Sequence, residues 1–201
     1  MADSHPGRLN RRRIAEAALE IVDRDGLPGL SMRRIGAELN VEAMALYRYY
    51  PQKDAILTEV VDLVIGQPVY TRGGDWQSDL RLLSLELRAR VLAHPNAMPL
   101  VAAQWLRAQA LQSVIQEARA EVELAGIDAE AFLNALMSFV LGYSWLEVGA
   151  FVGSMPDEGG LTRRSVSPDQ FPAGRSARDR AIASEQFLAE LEFLLAGAAD
   201  R

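Results

Sequence analysis

The stretch from Leu30 to Leu57, LSMRRIGAELNVEAMALYRYYPQKDAIL, leaves few folds open. It reads as two short helices joined by a tight turn, then the start of a third. Ser31 can cap the first helix, because its hydroxyl accepts from an otherwise unpaired backbone N–H. Ile35 and Leu39 stand at i and i+4 and give that helix an inward apolar face, with Arg33 and Arg34 off it. Asn40 suits the left-handed residue that ends a helix. The second helix, over about 42–49, has Leu46 as its inward anchor and stops before Pro51. Its other positions, Glu42, Ala43, Met44, Ala45, Tyr47 and Arg48, are small or able to meet a surface. Lys53 and Asp54 open the next helix. Two short helices around a turn of a few residues make a helix-turn-helix, whose second helix enters the DNA major groove.

The segment resembles the DNA-binding domain of the tetracycline-repressor (TetR) family. The matching residues are Ile14-Ala15-Glu16-Ala17-Ala18-Leu19, the pair Gly26 and Leu30, Ser31-Met32-Arg33-Arg34-Ile35, and Leu46-Tyr47-Arg48-Tyr49-Tyr50-Pro51 followed by Lys53, Ala55 and Leu57. The family commonly has histidine or tyrosine and then phenylalanine where Tyr49 and Tyr50 stand, a departure that still leaves an aromatic at each place. The resemblance implies phosphate-holding roles for Tyr47 and Lys53. A lysine at a helix start is electrostatically unfavourable, and a nearby phosphate would relieve that conflict.

Charge supports a split chain. Residues 1–53 carry 9 arginines plus lysines against 7 acidic residues, net +2, whereas residues 54–201 carry 12 against 20, net −8. The basic share therefore lies with the helix-turn-helix and the acidic share can face elsewhere. Arg8, Arg11, Arg12 and Arg13 cluster just before the first helix, either as phosphate contacts or as a solvated charge cluster. With no cysteine, disulfides and thiolate metal sites are excluded, and a reducing cytoplasm is the default compartment. We count no apolar run long enough to span a bilayer and no secretory signal core, so no membrane partner is expected.

Along the chain, periodicity predicts helices throughout and no strand competes. The first helix spans about 10–24, with Ile14, Ala17, Ala18, Ile21 and Val22 on one stripe. A fourth starts near Gln52 and is broken by Gly66 and Pro68. Further helices are expected over 76–93, in a short element over 96–104, over 106–124, from Ala129 to about Val152 behind an Asp128 cap, and over 177–199. The helix from Ala129 is apolar nearly all round, so it needs a second covering surface beyond one core. The fold class expected is all-α: an N-terminal three-helix helix-turn-helix domain plus a larger helical domain for ligand binding and dimerisation. The divisions are a disordered tail at 1–9, a DNA-binding domain at 10–56, and an effector-binding and dimerisation domain at 57–201 with a mobile loop at 153–176.

No enzyme constellation or metal site emerges. The two histidines, His5 and His94, stand apart, and Gly73-Gly74 and Gly159-Gly160 lack the context of a phosphate loop. No cofactor is expected. Trp105, Phe139 and Tyr143 either line an effector pocket or belong to core and interface. Words such as WQSDLRLLSLELRARVLAHP, FLNALMSFVLGYSWLEVG and EQFLAELEFLLAG are similar to the C-terminal domain of the tetracycline repressors themselves. That resemblance implies a small effector inside each subunit and a homodimer built from the last long helices, with Leu146, Phe187, Leu191 and Leu194 as interface candidates.

The expectation is a cytoplasmic transcriptional regulator, a repressor released from a palindromic double-stranded operator by a small molecule. Ser31, Arg33, Glu42, Ala43, Met44, Ala45, Tyr47, Arg48 and Lys53 are its candidate DNA contacts. Arg33, Tyr47 and Lys53 suit phosphates; Ala43, Met44, Ala45 and Arg48 suit base edges. Glu42 suits either a cytosine amine or its own helix N-terminus. The rival is a helical small-molecule carrier or enzyme with a vestigial N-terminal domain.

Overall fold

A computed structural model describes residues 9–66, 75–152 and 177–199, and every regular element among those residues is helical. The tail at 1–8, the turn at Gly73-Gly74 and the loop at 153–176 lie outside the described residues. Helix α1 spans Arg11–Asp25, α2 Met32–Glu38, α3 Ala43–Leu46 and α4 Lys53–Ile65. Then come α5 Trp76–Ala93, α6 Met98–Gln104, α7 Gln109–Leu124, α8 Ala129–Val152 and α9 Ala177–Ala199. Short 3-10 turns precede α6 at Pro95–Ala97 and follow it at Trp105–Arg107.

The first helices form where the sequence places their caps. Asn10 Oδ1 accepts from Arg13 N at 2.9 Å and starts α1. Gly26, at φ +70°, closes that helix with its N–H on the Val22 carbonyl at 2.8 Å. The expected stripe of Ile14, Ala17, Ala18, Ile21 and Val22 is buried. It packs on α4, whose Ile56, Val60, Val61, Val64 and Ile65 are buried in turn. Helix α4 also meets α5, α6 and α7, so one helix supplies apolar surface to both halves of the molecule. Its C-terminal end is held by Arg90 of α5, which donates to the Ile65 carbonyl at 2.9 Å. Gly66, at φ +67°, sits beneath that guanidinium, and a Cβ there would fall 1.5 Å from Arg90 Nη1.

Two expected helices change form. The second helix of the motif is shorter than 42–49: α3 stops at Leu46 and residues 47–49 continue as turns. The helix expected over 106–124 begins only at Gln109, because Trp105–Arg107 coils more tightly and Ala108 is extended.

The membrane count also needs correcting. Helix Ala129–Val148 has the length, and at 1.3 the mean hydropathy, of a bilayer span. Its apolar stripe is instead covered by neighbours: α8 packs on α5, α7 and α9, burying Leu133, Leu136, Met137, Val140 and Val148. The same face buries Glu147, which pairs with Arg88 of α5 through two hydrogen bonds of 2.8 Å. Asp128 caps α8 as expected, its Oδ1 accepting from Ala131 N at 3.1 Å.

Candidate nucleic-acid interface

The turn between α2 and α3 is a close backbone contact. Val41 N donates to the Gly36 carbonyl at 2.8 Å, and Asn40 takes the left-handed conformation at φ +54°. A Cβ on Gly36 would stand 2.7 Å from the Val41 carbonyl oxygen and 3.3 Å from Ala43 N. The sequence reading missed Gly36. The available signal was a glycine inside a helix, where its flexibility costs stability unless close packing requires it. Leu30, Met32, Ile35, Leu46 and Tyr50 are buried beneath the turn. Truncating one such core side chain to alanine costs about 2–5 kcal/mol, so α3 is held firmly despite its single turn.

With Leu46 inward, the opposite face of α3 is bare. Met44 is 74% exposed and Tyr47 43%. Arg33, Arg48 and Glu42 are exposed, and Ala43 and Ala45 are half-buried. Arg33 and Arg48 make no hydrogen bond or ion pair with another described residue, whereas neighbouring cations are engaged. Arg34 pairs with Asp25, and Arg24 pairs with Glu38 at 3.0 Å, holding the Glu38 carboxyl below the usual carboxylate range. Glu42 precedes α3 without a side-chain cap bond. Ser31 is exposed, but its hydroxyl already accepts from Arg34 N at 3.2 Å.

Two candidates have partners that local sequence did not disclose. Lys53 Nζ donates to the Leu30 carbonyl at 2.8 Å, tying the start of α4 to the entry of α2. That bond relieves the lysine's unfavourable helix-start position without any phosphate. Arg11 donates to Glu59 at 2.9 Å and to the Tyr49 carbonyl at 3.2 Å, and its guanidinium lies 4.3 Å from the Tyr50 ring centroid. Arg12 is committed to Glu16 at 2.8 Å. The Tyr50 hydroxyl belongs to the same cluster: it donates to Glu59 and lies 3.0 Å from the Arg11 carbonyl. Burial first, and then the Glu59 carboxylate it donates to, raise its ionisation far above the ordinary phenol value. Tyr49 donates to the Leu9 carbonyl at 2.8 Å, so both tyrosines dock the chain entering α1.

Residues 14–60 match the family model described as bacterial regulatory proteins, tetR family. This chain belongs to the TetR family. Among TetR-family relatives, it is 33% identical over 140 residues to an HTH-type transcriptional regulator of Saccharopolyspora erythraea, covering 67% of this chain and 59% of that one. It is 41% identical over 90 residues to the HTH-type transcriptional repressor DrrR1 of Streptomyces coeruleorubidus, covering 43% of this chain and 33% of that one. The chain thus spans between a third and three-fifths of these curated relatives' lengths. In fold it is similar to Mycobacterium smegmatis BioQ, with a TM-score of 0.75, 23% identity and coverage of 96% and 99% of the two chains. BioQ crystallised with its double-stranded DNA operator superposes with a TM-score of 0.70 at 22% identity, covering 96% of this chain and all (100%) of that one.

The TetR-family helical body sorts the remaining candidates differently from the sequence reading. Phe139 and Tyr143 are brought together, with ring centroids 5.7 Å apart, and Phe187 joins both at 5.2 Å. Trp105 is half-buried and takes no part in that ring cluster among the described residues. Phe187 and Leu191, candidates for a subunit interface, are fully buried inside the single chain. The candidates left outward are Leu146, which is 71% exposed, and half-buried Leu194. Leu194 lines a shallow groove of about 350 Å³ with Phe139, Ala189, Glu190 and Phe193. Phe193 is 79% exposed and was not singled out from sequence.

Proposed function

We propose that this chain is a DNA-binding transcriptional repressor that acts in the cytoplasm as a homodimer and leaves its operator when a small molecule binds. One observation carries the reading: a close-packed α2–α3 turn presents Met44, Tyr47, Arg33 and Arg48 outward, with both arginines unpaired among the described residues. Unpaired cations beside an exposed helix face suit phosphate oxygens, and Met44 with the two alanines suits thymine methyls. BioQ, a fold neighbour, has been crystallised on operator DNA. On this reading residues 10–56 form the DNA-binding domain and 57–201 the effector-binding and dimerisation domain, with α4 shared. No catalytic role is assigned to any residue.

Selection of bound duplexes from a random pool tests the reading. The expected outcome is an inverted repeat whose half-sites lie about one helical turn, roughly 34–36 Å, or a related spacing apart, because a two-fold dimer presents two copies of α3. Enrichment of no sequence, or of sites without an inverted repeat, contradicts it.

Lys53 and Tyr47 give a second expectation. Lys53→Ala should weaken binding to selected and random duplexes alike and lower the slope of log K against log salt by about one per subunit. It should also cost about 1 kcal/mol of folding stability by freeing the Leu30 carbonyl. Tyr47→Phe should weaken both duplexes and leave stability unchanged. Salt titrations and thermal melts separate the effects; an unchanged slope removes Lys53 from the phosphate contacts.

A further inference from the structure

The C-terminal end of α1 is gripped on two sides by three consecutive residues. Asp23 faces the helical body: its Oδ2 lies 2.8 Å from His94 Nδ1, and its backbone carbonyl accepts from Asn96 Nδ2 at 2.7 Å. Arg24 and Asp25 face the motif instead, through Arg24 to Glu38 at 3.0 Å and Asp25 to Arg34, both partners lying on α2. His94 and Asn96 flank Pro95 at the elbow where α5 ends and the chain turns into α6. His94 there is neither helical nor extended, at φ −126° and ψ 62°. Its backbone is fixed on both sides, with its N–H on the Val91 carbonyl at 3.1 Å and its carbonyl accepting from Ala97 N at 3.0 Å.

This contact differs in kind from the attachment through α4. The α1–α4 packing is continuous with the core and mainly apolar, with the Arg11–Glu59 pair at its N-terminal edge. The α1–elbow contact adds polar bonds to the buried Pro95 and Ala97, and Asp23 keeps a second carboxylate oxygen, Oδ1, buried without a hydrogen-bond partner among the described residues. A buried acceptor left unpaired works against the closed arrangement, so the joint holds with less in hand than a fully satisfied network.

We propose that Asp23, His94 and Asn96 form a second, releasable attachment between the DNA-binding helices and the helical body, which passes the position of the α5–α6 elbow through α1 to α2 and so to α3. The inference rests on the reading of the chain as a DNA-binding regulator and names how its interface is regulated. These are positioning residues: none lies on the exposed face of α3. A shift at the elbow reaches α2 through one rigid helix end, because the groups holding the elbow and the groups holding α2 are adjacent in sequence.

The test uses the full chain with His94→Ala, Asp23→Ala, the double variant, and the exchanged pair Asp23→His with His94→Asp. Amide hydrogen exchange is read over α2–α3 and over α7–α8. Binding is read on the duplex that the unaltered chain selects from a random pool. Each single variant should speed exchange in α2–α3 about tenfold with α7–α8 unchanged, and weaken duplex binding about 5–20-fold, the lower part of the roughly 5–150-fold range usual for coupled sites. The double variant should lose little more than either single one, and the exchanged pair should recover most of the loss. Unchanged exchange in α2–α3, an equal rise in α7–α8, or additive losses would each overturn the joint. Should Asp23→Ala fold poorly, Asn96→Ala removes the bond to the Asp23 carbonyl and carries the same comparison. If the unaltered chain selects no duplex, the DNA-binding reading fails, while the exchange data still decide the joint.

Discussion

Gly36→Val should abolish operator binding while leaving the helical body folded. A Cβ at this position would stand 2.7 Å from the Val41 carbonyl oxygen, so even alanine forces a backbone shift. Valine adds two more carbons to the same gap. Overpacking of this kind costs about 1–3 kcal/mol, and here the strain falls on the turn that aims α3. Displacing α3 removes several base contacts together, each worth about 1–3 kcal/mol, so affinity should fall at least a hundredfold by roughly 1.4 kcal/mol per tenfold. Helix α4 and everything beyond it lie outside the strained turn. Circular dichroism should therefore remain strongly helical, and the oligomeric state should not change. A Gly36→Val protein that binds the selected duplex at full strength would show that this turn does not set the interface.

In the proposed homodimer, Phe193→Glu should give a folded monomer, and Leu191→Glu should damage the fold itself. The two residues lie on one helix, and their burial decides the difference. Leu191 is fully buried inside the chain, so a carboxylate there loses its hydration with no partner supplied. Phe193 is exposed on the groove beside Ala189 and Leu194, and a carboxylate there is solvated in the monomer. Helix α8 offers a matching face, where Ala135, Ser138, Gly142 and Leu146 are exposed at helical spacing and the first three are small enough for a second helix to approach. Burying a phenylalanine contributes about 1.5–3 kcal/mol, and two-fold symmetry counts it twice, so dissociation should rise by roughly two to four powers of ten. Sedimentation equilibrium with parallel melting curves distinguishes the outcomes. A Phe193→Glu chain that stays dimeric at micromolar concentration would move the interface off this groove.

The helix-turn-helix was legible in sequence because its signals are local. Ser31, Asn40 and Leu46 each act within a few residues of themselves, and each performs the expected part in the structure. What escaped the sequence is what depends on distant partners. Arg11 reads as a free cation until Glu59 is brought against it, 48 residues later. Lys53 reads as a misplaced charge until the Leu30 carbonyl meets it. The last helix shows the limit of periodicity: an apolar stripe says that a face is covered, not by what. Phe187 and Leu191 lie against their own chain, while Phe193, off the strict stripe, faces outward. Helix α8 shows the same limit: it reads as apolar nearly all round, but only the fold shows that a helix with the length and mean hydropathy of a bilayer span is packed on by α5, α7 and α9.

The two anchors on α4 make it a lever arm. Lys53 fastens one end to the entry of α2, and Arg90, over Gly66, fastens the other to α5. At 13 residues the helix is about 20 Å long, by roughly 1.5 Å of rise per residue. A tilt of about 5° pivoting at the Gly66 end then carries the Lys53 end through roughly 1.7 Å, on that same rise. Between the two subunits of the proposed dimer the displacement would be doubled, to about a full base-pair step of B-DNA, which is about 3.4 Å along one strand. A rotation too small to disturb any core packing at the pivot is therefore large enough, at the far end, to put two reading heads out of phase with the double helix.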